Sequence, residues 1–135
     1  TFKNSGISWT IEGGNGFPKV GGTGLSNLYP FPSNKAVTAS ESEISTQADY
    51  TLEVSGNMNN ADSVFFSIQG TRGTVIKRMD GTTTSVTFSA AEVQSAGTGL
   101  AVLQVAAANY YSDSSTGKMM YTINQSVVNH TVTIK

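Results

Sequence analysis

Hydrophobic and polar residues alternate with period two along most of the second two-thirds of the chain, the signature of strands with one covered face. In YTLEV (50–54), Tyr50, Leu52 and Val54 share one side and Thr51 and Glu53 the other. SVFFSI (63–68) sets Val64, Phe66 and Ile68 against Phe65 and Ser67, and TVIKRM (74–79) and SVTF (85–88) read as further strands. Asp80-Gly81 between these last two is a two-residue hairpin signal. LAVLQVAA (100–107) is apolar on both sides, which predicts a strand at the sheet centre. SDSSTG (112–117) reads as a loop, KMMYTI (118–123) and HTVTIK (130–135) as strands, and NQSVVN (124–129) as a turn or bulge between them. The single predicted helical turn is SAAEVQSAG (89–97): Ser89 followed by Glu92 is a capping-box pattern, and Gly97 stands at the C-cap.

The front of the chain is different. ISWTI (7–11) alternates Ile7, Trp9 and Ile11 with Ser8 and Thr10, but from Gly13 to about Thr46 the sequence turns irregular and holds all three prolines, Pro18, Pro30 and Pro32. AVTAS (36–40) is one short strand candidate there. Strands every 8–14 residues with Gly, Asn and Asp between them predict an all-β domain, an antiparallel β-sandwich of about seven or eight strands over residues 45–135. Residues 1–44 form an N-terminal strand and a Gly/Pro-rich arm packed on that core, because a lone strand cannot satisfy its backbone or hide a Trp. The expected inward residues are Leu52, Val54, Phe66, Ile68, Phe88, Val102, Tyr121 and Ile134.

Composition narrows the setting. Charged residues are 13% of the 135 residues, about half the usual ~25%, so Ser, Thr, Asn and Gln carry the solvation, as they do on exposed strand faces of secreted domains. A net charge of −1 with scattered Lys and Arg provides no basic stripe, which argues against nucleic acid as a partner. Lys77 and Arg78, adjacent in a strand, point to opposite faces. Cysteine is absent, which removes disulfides, thiolate nucleophiles and Cys-type zinc sites together. No apolar run reaches the ~18 residues a spanning helix needs. The chain starts at Thr1 with no leader in view, so it reads as a mature form whose targeting segment is missing.

Candidate chemistry is sparse. GGNGFPKVGGTG (13–24) partly fits the spacing of a phosphate-binding loop, but Gly22 stands where the Lys belongs and Pro18 removes an amide donor, so it reads as a linker. His130, the one histidine, has no nucleophile-elbow sequence to serve and reads as an edge residue. Glu41 and Glu43 share a face as a solvated edge. Asn57, Asn59, Asn60 and Asp62 lack the carboxylate charge of a calcium loop, and Asn is a default turn residue. No catalytic residue, metal site or cofactor is expected. Asn124-Gln125-Ser126 and Asn129-His130-Thr131 match the glycosylation acceptor pattern, which matters only in a eukaryotic secretory route. The aromatics Trp9, Tyr29, Phe31, Tyr110 and Tyr111 are the candidate ligand-binding set: they supply rings on which a sugar could stack, or, in LYPFP (28–32), caps for an open end of the sandwich.

From DYTLEV onward the order of features resembles an immunoglobulin-like or fibronectin-III-like sandwich. SVTFSAAEV resembles the strand and turn before the penultimate strand pair. GLAVLQVAAANYYSDSSTGKMMYTINQSVVNHTVTIK resembles the closing hairpin of such modules in Bacteroidetes-type cell-surface lipoproteins. The resemblance spans about residues 45–135 and lacks the Cys pair and third-strand Trp of true immunoglobulin domains, so Phe65 or Phe66 takes that core role. It implies a non-catalytic extracellular, outer-surface or periplasmic module, held at the membrane only through a tether outside this chain, and it carries over no functional residue. The expected function is spacing, adhesion or ligand presentation. A carbohydrate-binding module using the aromatics, or a fibre or secretion-assembly subunit pairing with a protein partner through its N-terminal arm, are the alternatives.

Overall fold

The alternating segments pair into two sheets. The computed structural model describes residues 10–19, 32, 37–39, 41–55, 61–114 and 117–135. Its elements are β1 (Glu43–Ile44), β2 (Tyr50–Glu53), β3 (Ser63–Gln69), β4 (Thr74–Asp80), β5 (Ser85–Phe88), α1 (Ala90–Ala96), β6 (Gly99–Asp113) and β7 (Met120–Ile134). One sheet has the order β1-β7-β6-β3-β4, and the other pairs β2 with β5. Among the described residues the protein is mostly β, with one short helix.

One buried cluster joins the two sheets. Leu52 and Val54 at the β2 end, Phe88 from β5 and Val93 and Ala96 from α1 meet the inward row of the larger sheet: Phe66 and Ile68 of β3, Leu103 and Val105 of β6, Val132 and Ile134 of β7. Phe66, Phe88, Leu52, Ile68 and Leu103 are fully buried. The helix forms where the sequence placed it. The Ser89 hydroxyl accepts from Glu92 N at 3.3 Å, the Glu92 carboxylate accepts from Ser89 N at 2.8 Å, and Gly97 ends the helix at φ 92°. That positive φ favours glycine.

Five expectations are corrected. The larger sheet is mixed rather than antiparallel, because β1 runs parallel to β7, with Thr133 N donating to Ser42 O at 2.8 Å. Asp80-Gly81 does not join a hairpin: β4 pairs with β3 through the Gly70–Gly73 turn, and β5 leaves for the other sheet. Instead the Asp80 carboxylate accepts from both the backbone N and the hydroxyl of Thr82, and a Cβ at Gly81 would overlap the Ala61 carbonyl. NQSVVN is neither turn nor bulge. Residues 120–134 form one strand because β6 supplies a partner for every residue, from Gly99↔Ile134 to Asp113↔Met120. The loop expected at 112–117 accordingly starts later, since β6 runs to Asp113. Finally, AVTAS contributes only a bridge between Val37 and Val54 among its described residues.

Two predicted core residues face the other way. Residues 101, 103, 105 and 107 point inward on β6, so Val102 belongs to the outer row beside Gln69 and Thr131. Tyr121 is also on the outer row and is 75% exposed. Leu52, Val54, Phe66, Ile68, Phe88 and Ile134 are buried as expected.

Candidate functional site

The side of the five-stranded sheet turned away from the core is unusually apolar. Register defines its rows across the strands. Ile76, Ser67, Gln104 and Asn129 form one row, Arg78, Phe65, Ala106 and Val127 the next, and then Ser63, Ala108 and Gln125. Beyond the end of β3 the rows continue on the β6–β7 ribbon, as Tyr110 opposite Ile123 and Ser112 opposite Tyr121. Ile76, Leu100, Tyr110, Tyr121, Ile123 and Val127 all sit on this face and all are exposed. Between Phe65, Ile76, Tyr110 and Ile123 lies a shallow concavity of about 280 Å³, whose polar lining comes from Ser67, Gln69, Gln104 and Gln125. Scattered exposed apolar residues need no explanation; a contiguous set marks a contact surface.

Polar groups hold this face in shape. β3 pairs with β6 over Val102–Ala108. Where it ends, Asp62 takes over: its backbone N donates to Ala108 O at 3.0 Å and to Asn109 Oδ1 at 3.0 Å, and its carboxylate accepts from Tyr110 N at 2.8 Å. The Arg78 guanidinium lies 5.7 Å from the Tyr110 ring centroid and donates from Nε to Ser63 Oγ at 3.0 Å. Gln104 Nε2 donates to Asn129 Oδ1 at 3.0 Å. Five residues of β6, Asn109 to Asp113, thus project with β7 as a two-stranded ribbon about 15 Å beyond β3.

The two edges of the sheet differ. β4 carries Lys77, Arg78 and Asp80 in seven residues, charges that discourage pairing with another chain. β7 has no charged residue, no Pro and no Gly in fifteen. Among the described residues its outer edge is covered at one end: His130 Nε2 lies 2.9 Å from Glu41 O, and Thr133 and Lys135 donate to Ser42 O and Ile44 O. Because Thr133 N points outward and the pairing with β6 runs one-to-one without a bulge, the N–H and C=O of residues 121, 123, 125, 127 and 129 point outward too. Among the described residues, no strand pairs with that stretch.

The charged groups on the inner side are structural. Lys77 Nζ lies 2.8 Å from Glu92 Oε2, donates to Thr87 O at 2.9 Å and stands 5.2 Å over the Phe88 ring. The hydrogen bond from Lys77, followed by the Ser89 backbone N–H, holds the Glu92 carboxyl below its usual range. Thr82 does the same for Asp80. Burial, helped by the negative charge of Glu41, pushes the Tyr50 hydroxyl up to about 12. Among the described residues, no three His, Cys, Asp or Glu converge as metal ligands, and no helix is long and apolar enough to cross a membrane.

Of the aromatics singled out in the sequence, Trp9, Tyr29 and Phe31 lie outside the described residues, as does most of the arm. Tyr110 is on the outer face, but Tyr111, its neighbour in β6, points to the opposite side, opposite Thr122. The two rings therefore cannot share one platform. Sequence reasoning missed Phe65, Ile76, Tyr121, Ile123, Gln125 and Val127. A signal was present: fifteen residues from Met120 contain no charge, which an ordinary edge strand does not afford. No family model, curated protein or solved structure matches this chain.

Proposed function

We propose that this chain is a non-catalytic module of the extracellular or outer bacterial surface, an immunoglobulin-like sandwich serving adhesion, spacing or ligand presentation. Its contact surface is the outer face of the five-stranded sheet together with the part of the β7 edge that no described strand pairs with. One observation carries the reading: Tyr121, Ile123 and Val127 are exposed on that face, and their own backbone N–H and C=O groups line the uncharged edge. An extended partner would find main-chain hydrogen bonds and apolar side-chain contacts along the same strand, the arrangement of strand addition. The low charge and hydroxyl-rich strands agree with a surface location.

Selection of a random ten-residue peptide library on the immobilised chain tests this. The expected winners are uncharged, rich in β-branched residues, and lost on Val127→Pro, which removes one outward N–H without touching the β6 ladder. Winners that bind Val127→Pro equally well, or no winners at all, would sink the reading.

A second reading, glycan binding, is favoured by the three amides of Gln69, Gln104 and Gln125 around the concavity beside Tyr110. A glycan array should then respond to the native chain and fall silent with Tyr110→Ala. A blank array removes it.

A further inference from the structure

One buried hydroxyl on the outer face is left without a partner. Ser67 lies between Phe66 and Ile68, which point into the core, so its side chain turns to the outer face. There it sits between Ile76 of β4 and Gln104 of β6 and is only 4% exposed. Two other polar side chains of this face are engaged: Ser63 Oγ accepts from Arg78 Nε, and Gln104 Nε2 donates to Asn129 Oδ1. The Ser67 hydroxyl has no hydrogen-bond partner among the described residues. A buried hydroxyl without a partner costs free energy, so it points to a partner from outside the chain, water or ligand.

The surroundings of Ser67 say which. Ser67 lines the concavity of about 280 Å³. Space exists there because its floor is made of small side chains: Ala106 and Ala108 join Ser67, and all three are buried. Phe65, Ile76, Tyr110 and Ile123 surround that floor with apolar surface. Three carboxamides, Gln69, Gln104 and Gln125, complete the lining, and none of the described lining residues is charged. Gln104 spends an N–H on Asn129 and keeps its carbonyl oxygen as an acceptor.

We infer that the concavity holds a single neutral pyranose ring, with one sugar hydroxyl hydrogen-bonded to Ser67 Oγ. The inference rests on the glycan reading above and names the part of the glycan that is bound and the group that anchors it. A pyranose has apolar C–H faces and a perimeter of hydroxyls that both donate and accept. The aromatic and aliphatic walls take the faces, the carboxamides take the perimeter, and Ser67 gains the partner it lacks. Other ligand chemistries fit less well. A wholly apolar ligand would seal Ser67 and the amides away unpaired. An ion would shed water with no countercharge in the lining, and Arg78 on the same face already donates to Ser63 and lies over Tyr110. The volume is just below the ~300–1,000 Å³ of sites for drug-sized ligands. One ring therefore fits, which selects the terminal residue of a glycan over the interior of a polymer.

Amide NMR titration of the full chain with the methyl glycosides of glucose, galactose, mannose and N-acetylglucosamine reads the outcome. At least one should bind with a Kd of about 1–10 mM, the range for a small ligand with few contacts. It should shift the amides of residues 65–69, 104–110 and 123–125. Ser67→Ala removes a hydroxyl that the free protein leaves unpaired, so the fold should be as stable as the native one or more so. Sugar binding should nevertheless weaken about fivefold or more, an opposition that misfolding cannot produce. Gln125→Ala, at an exposed position, should weaken binding with no change in melting temperature. Ser67→Ala binding as tightly as the native chain, shifts elsewhere on the molecule, or no shift with any of the four glycosides overturns the inference and leaves the hydroxyl to water. A glycan array that responds equally to the native and Ser67→Ala chains would keep the glycan reading and discard this anchor; a blank array removes both.

Discussion

The Asp62 carboxylate accepts the backbone N–H of Tyr110 at 2.8 Å, so a side chain continues the β3–β6 ladder one step past its last strand pair. This contact anchors the root of the projecting ribbon and positions Tyr110 beneath the Arg78 guanidinium. Removing the acceptor in Asp62→Ala should cost about 1 kcal/mol, less than the ~1.5–3 kcal/mol of a charged acceptor because the site is exposed. Hydrogen exchange should accelerate at Tyr110 and along residues 109–113 while the β3–β6 ladder keeps its protection. Asp62→Asn, which retains an acceptor, should recover most of the loss.

The two faces of the larger sheet should respond very differently to truncation. Phe66 is fully buried, and Phe66→Ala should cost about 3–5 kcal/mol in urea unfolding. Tyr121→Ser on the exposed ribbon should stay within about 0.5 kcal/mol of the native chain. A large loss at Tyr121 would mean that the outer face is covered in the isolated molecule.

Helix α1 depends on its cap. Ser89→Ala should destabilise the fold by about 1 kcal/mol. Glu92 adds a pH dependence whose direction follows from its depressed pKa: the folded state holds the carboxylate more tightly than the unfolded chain does. That stabilisation is present above the ordinary carboxyl value of 4.5 and fades as pH falls through the folded pKa. Glu92→Gln should flatten this acid limb of the melting-temperature profile, as should Lys77→Met, since Lys77 is the leading cause.

At the alkaline end the sign reverses. Tyr50 is raised from 10.0 to about 12, so folding favours its neutral form. Stability should hold below pH 10 and fall between pH 10 and 12, as the unfolded chain ionises first. Tyr50→Phe should remove that decline; an unchanged alkaline profile would show that another group causes it.

Much was legible in the sequence because strand and cap signals are local. Alternation identified β2, β3, β4 and β5 almost to the residue, and the Ser89–Glu92 pair located the one helix. The apolar run at 100–107 placed β6 in the sheet interior, which is where it lies between β7 and β3. The candidate site was far less legible. Tyr110 was visible as an exposed ring, but its companions are Tyr121, Ile123 and Val127, which come from a segment read as two strands and a turn.

What the sequence determined by itself was periodicity: which residues of a strand share a side, where a helix is capped, and that no charge interrupts residues 120–134. Tertiary structure decided which side was covered and which strand lay next to which. Val102 and Val105 are equally apolar, yet the main core gathers on the face beneath β2, β5 and α1, so Val105 is fully buried there and Val102 stands in the outer row. Asp80-Gly81 carries the local chemistry of a hairpin, but β4 pairs with β3, while β5 pairs with β2 and buries Phe88 in the common core. Such choices are settled by contacts between residues far apart in the chain, and local alternation holds no record of them.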